Sequence, residues 1–158
     1  MNYIAYTDGS YKNAGDLGQF YSGAAIVAQE GTSDWVTMTK VGSDSLVSMR
    51  NVAGEIAAVI LVCEHCLNTL KLTQDDTLYI YYDYEGIANW CKPYGEPGFW
   101  KAKNETTASY REYILHKVKP RFKVVFNHIK SHSGDVGNSY VDSLAKKAIA
   151  QRISELSS

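Results

Sequence analysis

The feature of this sequence that most constrains its fold is a change in hydrophobic period near residue 50. Before this point, three short segments are rich in aromatic and β-branched residues, as strands are: Tyr3–Thr7, Tyr21–Val27 and Trp35–Val41. Glycines lie in the connections, so we predict an antiparallel meander, with the first strand ending in a turn at Asp8-Gly9-Ser10. From Val52 to Leu70, apolar residues recur at helical spacing, with Ser48 or Asn51 as the cap.

After this helix the chain alternates between the two periods. We predict a strand at 78–82, a short helix at 84–91, a helix at 108–118 that Pro120 ends, a strand at 121–129 and a helix at 140–153. Asn138 or Ser139 is the expected cap of the last helix. The order βββαβααβα predicts an α/β fold (α+β in its mixed sheet), with five strands and helices packed on them. We expect one domain over 1–158, with an ordered core at 1–153 and a tail at 154–158.

Composition excludes several classes of protein. A chain of 158 residues with three cysteines and a net charge of −1 is too poor in cysteine for a disulfide scaffold. There is no run of eighteen apolar residues and no visible secretory signal, so we expect no membrane contact and a cytoplasmic location. We also expect a monomer. The charge balance gives no global argument for a polyanionic partner, so such a partner requires a local patch and a site.

Four acidic residues lie where solvation alone does not explain them. Asp8 and Asp83 follow apolar strand segments, Glu55 lies on the apolar face of the long helix, and Asp142 lies in the predicted first turn of the last helix. A turn, a helix cap and a helix dipole would explain the three aspartates, whereas Glu55 has no such simple explanation. If the four meet at one sheet edge, their mutual repulsion calls for a hard divalent cation, Mg²⁺ or Mn²⁺ in preference to Zn²⁺.

The motifs around these acids resemble those of the ribonuclease H family. Tyr6-Thr7-Asp8-Gly9-Ser10 is similar to the family's first-strand signature, and Ile129-Lys130-Ser131-His132-Ser133-Gly134-Asp135 with Asn138 and Asp142 to its last catalytic loop and helix. Asn51 and Glu55 match the helix of the family glutamate, although Gly54 stands where a larger apolar residue is usual. Residues 81–85 match the strand that carries the third carboxylate, so the ordered set extends from Tyr3 to about Ala150. Residues 98–113 are also similar to a type 1 bacterial subgroup often found behind a small, viroplasmin-like hybrid-binding domain.

The resemblance implies an endonuclease that hydrolyses the RNA strand of RNA–DNA hybrids with two metal ions, leaving 5′-phosphate and 3′-hydroxyl ends. It implies that Asp8 bridges two Mg²⁺ ions (with Mn²⁺ as a substitute), that Glu55 and Asp83 hold one of them, and that Asp142 holds the other. His132 would assist proton transfer or product release. The alternatives are another metal-dependent nuclease of the same fold, and a nucleic-acid-binding module without catalysis.

Candidate substrate contacts come from the same comparison and from charge. The 2′-hydroxyl, which distinguishes RNA from DNA, would be recognised near the carboxylates. Residues 101–123 hold seven basic and two acidic residues, with Trp90, Phe99 and Trp100 beside or within them, which suggests a groove for the DNA strand. The full set of candidate substrate contacts is Gly9, Ser10, Arg50, Asn51, Glu85, Trp100, Lys101, Lys103 and Asn138.

Overall fold

A computed structural model describes residues 1–130 and 135–158. Its strands form one five-stranded sheet in the order β3-β2-β1-β4-β5. The strands are β1 (Asn2–Asn13), β2 (Gln19–Gln29), β3 (Val36–Gly42), β4 (Thr77–Tyr82) and β5 (Lys123–His128). The first three are antiparallel neighbours, and β4 and β5 are parallel to β1, so the predicted mixed five-stranded sheet is confirmed.

The helices occur in the predicted order. They are α1 (Asn51–Asn68), α2 (Gly86–Asn89), α3 (Glu105–Glu112) and α4 (Val136–Ser157). A π-helical segment, Tyr113–Val118, continues directly from α3 and ends before Pro120, where the sequence predicted the stop. Two short 3₁₀ turns, Gly15–Leu17 and Ser45–Met49, lie in the connections.

The two long helices pack on opposite faces of the sheet. Because side chains alternate along a strand, Ala25 and Val27 face α1, where they join the main core with buried residues such as Val59. Ala24 and Ile26 face the other way and contact Val141 and Ala145 of α4. Full burial of a side chain such as Val59 contributes about 1.5–3 kcal/mol, so α1 is fixed firmly on the sheet.

Strand β1 is longer than the sequence indicated, which corrects the prediction of a turn at Asp8-Gly9-Ser10. The strand continues to Asn13 because β2 pairs with it without interruption, from Tyr3 opposite Gln29 to Asn13 opposite Gln19. On its other side β1 pairs with β4 only as far as Tyr6. Beyond Tyr6, β1 therefore extends past its parallel neighbour and leaves a gap at the edge of the sheet.

The ends of α1 and α4 also differ from prediction. Asp135 caps α4 by accepting a hydrogen bond from the Asn138 backbone N–H (2.9 Å), so the helix begins at Val136 and neither Asn138 nor Ser139 is its cap. The helix continues to Ser157, and the predicted tail at 154–158 is wrong except for its last residue. At α1 the N-cap position belongs to Arg50, with a left-handed φ of 53°, and not to Ser48 or Asn51.

Helix α1 is long and apolar enough, by length and composition alone, to cross a membrane. In this protein 56% of that stretch is buried. The core helix of a folded domain passes the same test, so this is weak evidence for a membrane span. The expected absence of membrane contact stays a prediction.

Candidate active site

A cavity of about 260 Å³ lies where β1 extends past the end of β4. Strand β1 brings one carboxylate to it, the end of β4 a second, the first turns of α1 a third and α4 a fourth. Its lining residues are Asp8, Gly9, Asn51, Glu55, Asp83, Tyr84, Asn138, Ser139 and Asp142. The four acids singled out in the sequence thus surround one cavity, although they lie far apart in the chain.

Three of these carboxylates form a tight group. Asp8, Glu55 and Asp83 each offer an oxygen atom, and these atoms all lie within 4.8 Å of one another. The Asp8 residue is 4% exposed and Glu55 only 2%. The backbone N–H of Gly9 donates to Glu55 Oε1 (3.1 Å) and to Asp8 Oδ1 (2.8 Å). Among the described residues, Glu55 Oε2 has no hydrogen-bond partner although it is buried.

Burial and mutual repulsion disfavour the charged forms of this group. Burial raises the pKa of Asp8 to about 7, and the charges of Asp83 and Asp142 act in the same direction. Burial also raises the pKa of Glu55 well above its usual range, and the charges of Asp8 and Asp83 add to this effect. A bound cation would reverse both effects, because it supplies the opposite charge that the buried carboxylates lack.

The donor set fits a hard divalent cation. The three side chains offer carboxylate oxygens alone, which Mg²⁺ and Mn²⁺ prefer, whereas Zn²⁺ sites usually contain nitrogen or sulfur. Glu55 Oε2, which has no partner in the part of the chain that the structure describes, is a buried acceptor that a cation would satisfy. Of the four predicted metal ligands, the structure brings Asp8, Glu55 and Asp83 into one binding group.

Asp142 lines the same cavity but lies outside the tight group. It belongs to the second turn of α4, because the helix begins six residues earlier at Val136, so the helix-dipole explanation no longer applies to it. Its Oδ2 atom accepts a hydrogen bond from Lys146 Nζ, one turn later on the same helix (3.1 Å). The Asp142 side chain is 38% exposed, so it is far more solvated than Asp8 and Glu55, which are almost fully buried.

The candidate contacts for the 2′-hydroxyl lie around this cavity, but they differ in burial and in whether their hydrogen-bonding groups already have partners. The Gly9 N–H already donates to carboxylates, so it is not available as a free donor. Asn51 is exposed at the start of α1 and lines the cavity, and Ser10 follows on β1 as a half-buried residue. Asn138 is buried in the cavity wall, and its Oδ1 atom has no partner among the described residues.

Two further candidates lie outside the cavity lining. Glu85 is exposed at the N-cap position of α2. The exposed Arg50 places its guanidinium over the Tyr11 ring, 5.9 Å from the ring centroid. His132 lies outside the described residues.

A second cavity, of about 550 Å³, combines aromatic and basic side chains. Its lining residues are Trp90, Phe99, Trp100, Lys101, Lys103, Asn104 and Thr107. Tyr84 lies between the two cavities. It lines the carboxylate cavity, and its ring centroid lies 5.8 Å from that of Trp90 and 6.0 Å from that of Trp100. The predicted aromatic groove therefore adjoins the acidic site.

The basic residues of 101–123 do not form one patch, which corrects the expectation drawn from their local charge. The Arg111 guanidinium donates to the carbonyls of Trp90 (2.6 Å) and Lys92 (2.7 Å), so it fixes the loop that carries Phe99. Lys117 forms an ion pair with Glu64. Lys123 begins β5 beside the start of β4, at the opposite end of the sheet from Asp83. Lys101 and Lys103 remain at the groove.

Sequence reasoning missed Tyr84 and Ser139 as lining residues of the site. Each is adjacent in the chain to a residue that was singled out, Asp83 and Asn138 respectively. The available signal was therefore proximity alone.

A cluster of carboxylates suited to a divalent cation, next to an aromatic and basic groove on a mixed sheet, is typical of metal-dependent nucleases. Comparisons with known proteins agree with this class. The family model described as RNase H matches residues 1–150. A ribonuclease H of Francisella philomiragia subsp. philomiragia is 31% identical over 159 aligned positions, which cover 95% of this chain and 92% of the relative. The chain belongs to the ribonuclease H family.

Solved structures show the same fold. RNase H1 from the halophilic archaeon Halobacterium salinarum NRC-1 superposes with a TM-score of 0.71 at 12% identity, covering 96% of this chain and 99% of the other. LC11-RNase H1 in complex with an RNA/DNA hybrid gives a TM-score of 0.65 at 21% identity, covering 93% and 99%. The similarity to the bacterial subgroup with a hybrid-binding domain stays a prediction.

Proposed function

We propose that this chain hydrolyses the RNA strand of RNA–DNA hybrids with divalent cations held by Asp8, Glu55, Asp83 and Asp142. The observation that carries the proposal is the tight group of Asp8, Glu55 and Asp83 on the motif positions of the ribonuclease H family. In this group Glu55 Oε2 is buried and has no partner within the described ranges 1–130 and 135–158. Mg²⁺ is the proposed ion and Mn²⁺ a substitute, because the donors are oxygens.

The position of Asp8 suits it to serve two cations. It shares the tight group with Glu55 and Asp83, and its charge also interacts with that of Asp142. Glu55 and Asp83 would hold one ion on the side of the leaving 3′ oxygen, and Asp142 the other on the side of the attacking water. Two such ions supply the charge that stabilises the attacking and leaving oxygens of an in-line displacement. The products would carry 5′-phosphate and 3′-hydroxyl ends.

Other residues of the chain would orient the substrate. Asn51 at the cavity and Ser10 beside it are the proposed contacts for the 2′-hydroxyl, and the buried Asn138 Oδ1 is a further acceptor. Glu85 would accept from a neighbouring 2′-hydroxyl, and Arg50 would contact a phosphate. His132 is proposed to assist proton transfer or product release.

The aromatic groove is the proposed binding site of the DNA strand. Trp100 and Phe99 line the groove with aromatic rings, while Lys101 and Lys103 offer positive charge to phosphates. Tyr84 makes this surface continuous with the carboxylates. A substrate bound in the groove would therefore lie directly beside the cation site.

We also infer that the protein acts in the cytoplasm as a monomer and does not bind membranes. The low cysteine content supports a reducing compartment. Size-exclusion chromatography with light scattering tests the monomer, and fractionation of cells tests the location.

The deciding experiment incubates the chain with labelled RNA–DNA hybrid, duplex DNA and duplex RNA, each with Mg²⁺, Mn²⁺ or EDTA. We expect cleavage of the hybrid's RNA strand with either cation and none with EDTA or with Asp8→Asn. Preferential cleavage of DNA would assign the chain to another nuclease of this fold. Tight hybrid binding without cleavage under any cation would favour a binding module.

A further inference from the structure

Three glycines meet where α1 crosses β1 and β2. Gly9 and Gly23 are directly opposite each other on the two strands, and Gly54 of α1 lies over them. A Cβ atom added at Gly54 would lie 1.9 Å from the Ser22 carbonyl oxygen and 3.0 Å from Gly9 Cα. Real Cβ atoms essentially never come within 3.0 Å of such atoms, so helix and sheet touch here backbone to backbone.

The other two glycines make the same contact from the strand side. A Cβ at Gly9 would lie 2.3 Å from the Glu55 backbone N, and one at Gly23 would lie 2.5 Å from the Gly54 carbonyl oxygen. A glycine inside a helix is disfavoured relative to alanine, because it loses more conformational freedom on folding. Gly54 therefore opposes helix formation locally, while it permits an approach that alanine would block.

This approach sets how far the next residue reaches. Glu55 directly follows Gly54, and its Oε1 atom accepts a hydrogen bond from the Gly9 N–H (3.1 Å). Its other oxygen is buried in the cavity wall without a partner among the described residues. Because the reach of a glutamate side chain is limited, a helix held farther from the sheet would move this carboxylate away from Asp8 and Asp83.

We propose that Gly54 is a positioning residue for the cation site: it sets the depth of α1 on the sheet and thereby the distance of the Glu55 carboxylate from Asp8 and Asp83. Gly23 supports the same contact from β2. The proposal rests on the proposed cation site but not on the choice of nucleic-acid substrate. The competing explanation is that the glycines serve packing and stability alone.

The test measures Mn²⁺ affinity of the full-length chain by isothermal titration calorimetry for wild type, Gly54→Ala, Gly23→Ala and Val62→Ala. Val62 is the matched control, because it is fully buried in the main core about 12 Å farther along α1 and lies outside the cavity lining. Urea unfolding gives the stability of each variant, and circular dichroism verifies that it is folded under the titration conditions.

We expect Gly54→Ala and Gly23→Ala to weaken Mn²⁺ binding by about 10- to 100-fold, as the loss of supporting contacts does at other metal sites. Val62→Ala should lose stability and keep its affinity. If Gly54→Ala does not fold, Gly23→Ala carries the same test. Wild-type affinity in a folded glycine variant, or equal weakening in Val62→Ala, would overturn the proposal. A wild-type protein that binds Mn²⁺ but cleaves no hybrid would refute the proposed function and leave this inference standing.

Discussion

Replacing Asp8 with Asn removes one charge from a buried group of three carboxylates, and we expect the variant to be inactive yet more stable than wild type without metal. The pKa of Asp8 is raised from 3.8 to about 7, chiefly by burial. At pH 8 this shift means that the charged Asp8 side chain lowers the free energy of unfolding by about 4 kcal/mol. The opposing effect of the hydrogen bond from the Gly9 N–H is already part of this shift, so the expected gain is at most about 4 kcal/mol.

The sign of this effect depends on pH in a defined way. Between pH 3.8 and about 7 the folded state binds a proton at Asp8 that the unfolded state has lost. Wild-type stability therefore falls as pH rises through this range and stays low above it. Asn at this position removes that fall. We thus expect the gain of Asp8→Asn to be largest at pH 8 and to vanish near pH 4.

Urea unfolding in EDTA at pH 4 and pH 8 measures the effect. The control is Asp76→Asn, since Asp76 accepts hydrogen bonds from the Thr73 backbone and the N-terminus, which lower its pKa, so that this variant should lose stability. Adding Mg²⁺ should stabilise wild type and leave Asp8→Asn nearly unchanged. An Asp8→Asn variant that is less stable than wild type at pH 8, or equally stabilised at both pH values, would refute the reasoning.

Three more predictions follow from the site. Arg50→Gly should relieve the backbone strain of the left-handed φ of 53° and raise the melting temperature by about 2–4 °C for each kcal/mol recovered. The same variant should bind the hybrid more weakly. Thermal melts measure the first effect and fluorescence anisotropy the second. Lys101→Ala with Lys103→Ala should reduce the salt dependence of hybrid binding by up to about 0.9 in log–log slope per lost phosphate contact. Lys117→Ala with Lys123→Ala, which lie away from the groove, should leave the slope unchanged; binding titrations at several salt concentrations measure both slopes. Mg²⁺ should raise the melting temperature of wild type more at pH 8 than at pH 5, because protons compete for the carboxylates; equal shifts in calorimetry would contradict this.

The sequence predicted the order of elements and that four distant acids lie close together, since both depend on local pattern and on motifs that keep their order; the structure places all four around one cavity. Where it failed, a distant part of the chain decided the outcome. Asp8-Gly9-Ser10 has turn-forming residues, but pairing with β2 holds it extended, and Gly9 serves close packing with α1 and no turn. Strand pairing of this kind leaves no local signal.

The charge count over residues 101–123 failed for a related reason. A linear count assumes that neighbours in sequence share a surface. Arg111 turns inward to backbone carbonyls, and Lys123 lies at the far end of the sheet. For Asp142 the prediction failed only in part. Its place at the cavity was expected, but it lies in the second turn of α4 and not in the first, because Asp135 caps the helix and starts it at Val136.

The extension of β1 beyond β4 has a consequence for self-association. From Thr7 onward the strand has, within residues 1–130 and 135–158, a sheet neighbour on the β2 side alone. An unpaired edge of this kind can bind a strand from another molecule, which can lead to aggregation. An incoming strand would have to remove water from Asp83 and Asp142, the two partly exposed carboxylates of the site, without offering them a counter-charge, which is costly. The acidic group therefore disfavours strand pairing between molecules at this edge. Variants that neutralise several of these carboxylates together should aggregate more readily at high protein concentration.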